Sequence, residues 1–173
     1  PNAREPWAGL REAQTMTLAL PHTGQAVLGD LGEADDIHPR NKEDVAERLA
    51  RWAMRDVLGI EHVAVSGPLY KSHEVREDGS VVIRFDHTNG GLDAHDGPLA
   101  GFSIADEDRA FTWADAKIEG DTVVVRGSGV KNPTSVRYNW ANNPQGNLYN
   151  GAGLPAAPFR TDDWPLPSEG LHF

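Results

Sequence analysis

Gln25-Ala26-Val27-Leu28-Gly29-Asp30-Leu31 carries a short apolar run between two segments of helical period. The run is too brief for a helix and reads as a buried strand. Upstream, Trp7, Leu10, Gln14 and Leu18 share one helical face, and the helix stops before Pro21. Downstream, an acid-rich loop covers residues 32–40. Asn41 then opens a strong helix, with Asp44 three residues later as an approximate capping box. Val45, Leu49, Trp52, Ala53 and Asp56 fall on one side of it, and Leu49 and Trp52 mark the centre of the expected buried stripe. Gly59 supplies the stop. Helix, strand, loop and helix in this order point to a piece of an α/β layered domain.

After Gly59 the period changes from helical to alternating. Residues 62–65 and 69–75 read as short strands, Asp78-Gly79 as a hairpin turn, and Val81, Ile83 and Phe85 as one face of the returning strand. Residues 116–119 and 122–126 form a second hairpin around Gly120-Asp121. Residues 101–105 and 135–140 are further strands, and from Asn142 the chain reads as loop. Turn signals every ten or so residues suit a sandwich or barrel-like β module, and the sandwich is the expected form. The expected division is residues 1–60 as the tail of an α/β domain and residues 61–173 as a β-rich module with a long C-terminal loop.

Composition narrows the function classes. Lys and Arg number 16 against 26 Asp and Glu, a formal net charge of -10. Such a surface repels phosphate, so neither nucleic acid nor an anionic membrane is an expected partner. The absence of cysteine excludes disulfides, thiolate metal sites and cysteine nucleophiles. No apolar run approaches the roughly 18 residues of a membrane span. The sequence starts at Pro1 without an initiator Met or a signal peptide, and the expectation is a processed or truncated chain.

The best candidate for chemistry is Asp35-Asp36-Ile37-His38-Pro39, in the loop between the expected strand and the strong helix. Open α/β sheets bind ligands at the carboxyl ends of strands, which suits a catalytic histidine here. Such a histidine needs a carboxylate to hold its tautomer. Asp35 lies three residues before it and Asp36 two, and both remain candidates.

The serines give weaker signals. Ser103 in Gly-Phe-Ser-Ile-Ala nearly matches a nucleophile elbow, but no helix follows it. Ser66, Ser72, Ser80, Ser128, Ser135 and Ser168 have less support. Asp86-His87 and Asp93-Ala94-His95-Asp96 are candidates for zinc or calcium without a tight spacing motif. Trp140, Tyr149, Phe159 and Trp164 are candidates for stacking on sugar rings. Gly127-Ser128-Gly129 is no phosphate loop, because no helix follows. No cofactor is expected.

Several blocks together resemble the sialate O-acetylesterase family. They include Gly29-Asp30-Leu31, Asp36-Ile37-His38-Pro39-Arg40-Asn41-Lys42 and Arg48-Leu49-Ala50-Arg51-Trp52-Ala53. Trp7-Ala8-Gly9-Leu10-Arg11-Glu12-Ala13-Gln14 and Ser66-Gly67-Pro68-Leu69-Tyr70 are similar as well. The likeness continues through Val136-Arg137-Tyr138-Asn139-Trp140-Ala141-Asn142, Asn147-Leu148-Tyr149-Asn150, Gly153-Leu154-Pro155-Ala156 and Pro158-Phe159-Arg160-Thr161-Asp162.

The resemblance implies the C-terminal portion of a flavodoxin-like α/β/α SGNH-hydrolase domain, followed by a β-rich module. It implies a carbohydrate O-acetylesterase using Ser, His and Asp, with an acetylated carbohydrate as substrate and a periplasmic or secreted setting. His38 would be the general base. The family favours Asp36 as its partner, and wider SGNH enzymes use the residue in the position of Asp35. The Gly-Gln-Ser-Asn block that carries the family's nucleophile is missing, as are the upstream oxyanion donors. The expected partner is therefore the N-terminal part of the same enzyme, on this chain's upstream extension or on a separate chain. The alternatives are a non-catalytic carbohydrate-binding or structural β module left by truncation, and a metal-dependent hydrolase using His87 and His95.

Overall fold

The computed structural model describes residues 6–166 and residue 169. Two helices, α1 (Pro6–Met16) and α2 (Glu43–Asp56), precede nine strands. These are β1 (Leu69–Val75), β2 (Val81–Asp86), β3 (Leu92–Ala94), β4 (Phe102–Ala105), β5 (Thr112–Glu119), β6 (Thr122–Gly127), β7 (Ser135–Tyr138), β8 (Leu148–Asn150) and β9 (Phe159–Arg160). A 3-10 turn at Thr17–Ala19 extends α1 towards Pro21. Among the described residues, no helix is long and apolar enough to cross a membrane.

Alternation builds the sheet. In β2, Val81, Ile83 and Phe85 point into the core while Arg84 is exposed; in β6, Val123 and Val125 do the same. The register places Ile83 opposite Val123 and Val123 opposite Ile118. Both expected hairpins form. Gly79 and Gly120 adopt the positive φ that their turns require, and Asp78 accepts hydrogen bonds from the amide and hydroxyl of Ser80.

Seven strands form one antiparallel sheet in the order β1-β2-β6-β5-β4-β7-β9, and β3 pairs with β8 separately. The sheet's two ends approach each other. Tyr70 of β1 stacks on Phe159 of β9 with ring centroids 5.0 Å apart, and the Ala157 amide donates to the Pro68 carbonyl at 3.1 Å. The sheet is therefore a nearly closed barrel around Phe102, Ile104, Val136, Tyr138, Leu148 and Phe159. Curling the edges together covers strands that would otherwise offer unpaired backbone groups.

This architecture corrects the expected α/β fold. The chain is mostly antiparallel β with two helices, not half of a flavodoxin-like α/β/α domain, and its β part is barrel-like rather than sandwich-like. Residues 25–31 form no strand: 25–28 carry no regular structure and 29–31 turn, with Leu31 N donating to Leu28 O at 3.1 Å. Side chains of α2 occupy their carbonyls: Trp52 Nε1 donates to Gln25 O at 2.9 Å, and Arg48 donates to Val27 O. The expected strand at residues 62–65 is likewise unpaired, and Arg51 donates to Ala64 O at 3.2 Å. Strands β8 and β9 lie in the region that the sequence reads as loop.

The helices themselves form where expected. Asp44 N donates to Asn41 Oδ1 at 3.1 Å and Asn41 Nδ2 donates to Asp44 Oδ2 at 2.8 Å, so Asn41 satisfies a first-turn amide from one position before the N-cap residue Lys42. Their faces are turned, however. In α1 the buried or half-buried positions are Ala8, Gly9, Arg11, Glu12 and Thr15, while Trp7, Leu10 and Gln14 are exposed. In α2, Val45, Arg48, Arg51, Trp52 and Arg55 are half-buried, and Leu49, expected at the centre of the buried stripe, is exposed.

Arg137 and Asp162 are joined by two hydrogen bonds of 2.8 Å, with side-chain exposures of 6% and 1%. Burial alone would raise the Asp162 pKa, but hydrogen bonds from Arg137 and Ser135 outweigh it and hold the group below its ordinary value. A depressed folded pKa adds stability above the unfolded value of about 3.9 and loses it as pH falls towards the folded value. We expect Asp162→Ala to cost about 3–5 kcal/mol, because it leaves Arg137 buried without its partner. Urea melts at pH 7 and pH 3 should show the variant's deficit shrinking at the lower pH. An equal deficit at both would refute the assigned role.

Candidate active site

The loop between residues 25–28 and α2 is fastened before it reaches His38. Asp30 receives two hydrogen bonds from Arg48 at 2.7 and 2.6 Å, and the Tyr149 hydroxyl donates to it at 3.1 Å across 119 residues. Burial, then the Asp30 charge, pushes the Tyr149 pKa up to about 12, so the phenol stays protonated and able to donate. His95 stacks on Tyr149 with centroids 3.8 Å apart.

A tight turn follows. Asp36 N donates to Glu33 O at 3.3 Å, and the Glu33 carboxylate accepts from the Arg40 amide at 2.9 Å. Inside this turn Asp36 Oδ1 accepts from the His38 amide at 2.8 Å and lies 3.4 Å from His38 Nδ1. An aspartate that bonds the amide two residues on makes an Asx-turn, which explains why this spacing brings acid and ring together. The imidazole is otherwise open, with a side-chain exposure of 80%. Acid beside Nδ1 and, among the described residues, no bonded partner on Nε2 is the arrangement a general base needs. Asp35 is exposed in the same turn, and among the described residues it is Asp36 that stands within ion-pair distance of the ring.

The serines occupy structural positions. Ser103 is buried within β4 and paired on both sides, so it is no elbow. The Ser66 hydroxyl donates to Gly67 O, that of Ser80 to Asp78, and that of Ser135 to Asp162. Ser128 is exposed in a turn and Ser72 is half-buried in β1. Ser168 lies outside the described residues. The metal candidates do not converge: among the described residues, no three His, Cys, Asp or Glu side chains gather as ligands would.

Three of the four candidate sugar-stacking aromatics are packed into the structure instead. Phe159 belongs to the core, Trp140 is 6% exposed against Arg137 and Arg160, and Trp164 packs on Phe111. An open indole that the sequence reading missed is Trp113, 65% exposed. Its signal lay in β5, where Ala114, Ala116 and Ile118 face inward and their period of two turns Trp113 outward.

Comparison with known proteins adds one relationship. The chain superposes on the crystal structure of a carbohydrate acetylesterase from Xanthomonas citri with a TM-score of 0.89 and 44% identity. The match covers 95% of this chain and 38% of that one. This chain is similar to part of a carbohydrate acetylesterase. It spans well under half of that protein's length, so the whole protein's activity is not transferred with the likeness. No protein-family model matches the chain, and no curated protein does.

Removing the Tyr149 hydroxyl tests the fastening. We expect Tyr149→Phe to cost about 0.5–1.5 kcal/mol and to speed amide exchange across residues 30–40, while the core strands stay protected. Unchanged exchange in that loop would show that Tyr149 does not restrain it.

Proposed function

We propose that this chain is the His- and Asp-bearing part of a carbohydrate O-acetylesterase that works by a Ser-His-Asp mechanism of the sialate O-acetylesterase kind. Two observations support this reading: the 44% identity to a carbohydrate acetylesterase over 95% of this chain, and the approach of Asp36 to His38 within this chain. In this reading residues 1–60 carry the base and residues 61–173 form the β-rich module that holds them. The substrate class is an acetylated carbohydrate.

The chemistry is acyl transfer. A serine Oγ supplied by the N-terminal part of the same enzyme attacks the acetyl carbonyl as His38 Nε2 takes its proton. The bond from the carbonyl carbon to the sugar oxygen then breaks, and His38 returns the proton to the departing sugar hydroxyl. Water attacks the acetyl-enzyme with the same base, releasing acetate and restoring the serine. Asp36 holds the Nδ1 side throughout, with Asp35 as the other candidate for that role.

The exposed apolar side chains support an N-terminal partner. Trp7, Leu10, Leu49 and Met54 sit on helices, and Ile37, beside His38, is 82% exposed. Covering such side chains removes apolar surface from water, a favourable contribution to association with a serine-bearing part.

In the completed enzyme, we expect His38→Ala to lower turnover of an aryl acetate by several orders of magnitude. Asp36→Asn should cost more than Asp35→Asn. The 173-residue chain alone should not hydrolyse acetyl esters. Full activity in His38→Ala would remove the base assignment, and robust turnover by the chain alone would require a nucleophile within it.

A further inference from the structure

The outer face of the barrel carries a groove of about 390 Å³ beside Trp113. Trp113 and Ser103 are register partners on β5 and β4, so their side chains stand next to each other on that face. Trp140, Asn143, Pro144 and Gln145 complete the walls. The groove's volume lies in the range of small-molecule sites, which combine apolar walls with a few polar groups.

Its two indoles are held differently. Trp140 is pinned, with the guanidinium carbons of Arg137 and Arg160 5.1 and 5.4 Å from its ring centroid. Trp113 is 65% exposed and offers a free face. A single exposed aromatic is ordinary on a protein surface, but one forming the wall of a cavity is placed to meet a ligand. The segment behind Trp140 is fixed as well. Arg11 of α1 donates to the carbonyls of Ala141 and Asn142 at 2.7 and 2.8 Å, and the Gly146 amide donates to Asn139 Oδ1 at 2.7 Å.

The lining selects the ligand's chemistry. In a chain with a net charge of -10, not one lining residue of the groove is ionisable. A charged ligand would meet no counter-charge among the lining residues. The nearby Arg137 and Arg160 are already paired with Asp162 and Glu12, so the desolvation of such a ligand would be costly. A neutral ligand with flat C–H faces for the indole and hydroxyls for amide side chains would meet both kinds of surface.

We propose that the Trp113 groove is a binding subsite for neutral pyranose units of a glycan, separate from the His38 turn. The proposal rests on the carbohydrate-esterase reading and deepens it, because it favours a neutral glycan over an anionic sugar such as sialic acid. The groove adjoins the catalytic segment: a Cβ built on Gly29, one residue before Asp30, would lie 3.8 Å from Pro144 at its rim. A glycan seated there would hold its chain beside the loop that bears His38.

Titration of the 173-residue chain with cellohexaose, xylohexaose and mannohexaose, followed by the indole N–H signals in NMR, tests this directly. The Trp113 signal is the one missing from Trp113→Phe. At least one neutral hexaose should shift it saturably, Trp113→Ala should weaken that binding roughly tenfold or more, and Trp113→Phe should retain much of it. N-acetylneuraminic acid should leave the signal unmoved. Asn143→Ala, at an exposed loop position, should weaken binding severalfold and keeps the test open if Trp113→Ala does not fold. Silence from all three hexaoses, undiminished binding by the folded variants, or equal binding of N-acetylneuraminic acid would each overturn the proposal. Acetate release by the completed enzyme judges the esterase reading separately.

Discussion

The carboxylate of Asp30 is the point on which the candidate site depends. It lies where the N-terminal segment, α2 and β8 meet, with two bonds from Arg48 and one from Tyr149. The charged pair has side-chain exposures of 16% and 11%, so its charges are largely removed from water. Two fork-like hydrogen bonds and a third neutral donor are what make such a position tenable. Arg48 also reaches Val27 O, so the same guanidinium holds the segment that delivers Asp30. The His38 turn is thus suspended between Asp30 and the Asn41–Asp44 pair, with its ends fixed and its tip open.

A second charged network sets α1 against the barrel. Arg160 of β9 bonds Glu12 of α1 at 2.8 Å and also approaches Asp162, whose other partner is Arg137. The guanidinium of Arg137 lies over Phe111, Trp140 and Trp164 at 4.3, 5.1 and 5.8 Å from their centroids. Flat cation and aromatic faces complement one another, and burial strengthens the attraction. Trp140 and Trp164, two of the aromatics that suggested a sugar platform, are thereby committed to this stack. That fixes one wall of the Trp113 groove and leaves the opposite indole free.

Local patterns carried much of this structure. The alternation of Val81, Ile83 and Phe85 behind Asp78-Gly79 identifies β2, and Asn41 with Asp44 marks the start of α2. The approach of Asp36 to His38 is similarly local, since an Asx-turn needs only two-residue spacing, but the sequence leaves Asp35 and Asp36 both open. Residues 25–31 misled because a short apolar run does not reveal what satisfies its carbonyls. Here Trp52 and Arg48 do so from α2, more than 20 residues away in sequence. The two- and three-residue strands β3, β8 and β9 are too short to show a period. Leu49 and Trp7 show the deeper limit: period identifies an apolar face, but not whether this chain supplies the surface that covers it.

The turned helix faces bear on the chemistry as well as on assembly. Arg11, Arg48, Arg51 and Arg55 approach the body of this chain, while Trp7, Leu10 and Leu49 look away from it. His38 and Asp36 share that open condition, and an exposed ion pair is worth about 0–1 kcal/mol. In the proposed enzyme, a partner covering Ile37 would also exclude water from the neighbouring imidazole. The interaction between Asp36 and a protonated His38 would strengthen as the surrounding dielectric fell. The same burial that joined the two parts would then favour the imidazolium formed during acyl transfer. Assembly and activation of the base would be one event, driven by apolar surface rather than by any group near the reacting atoms.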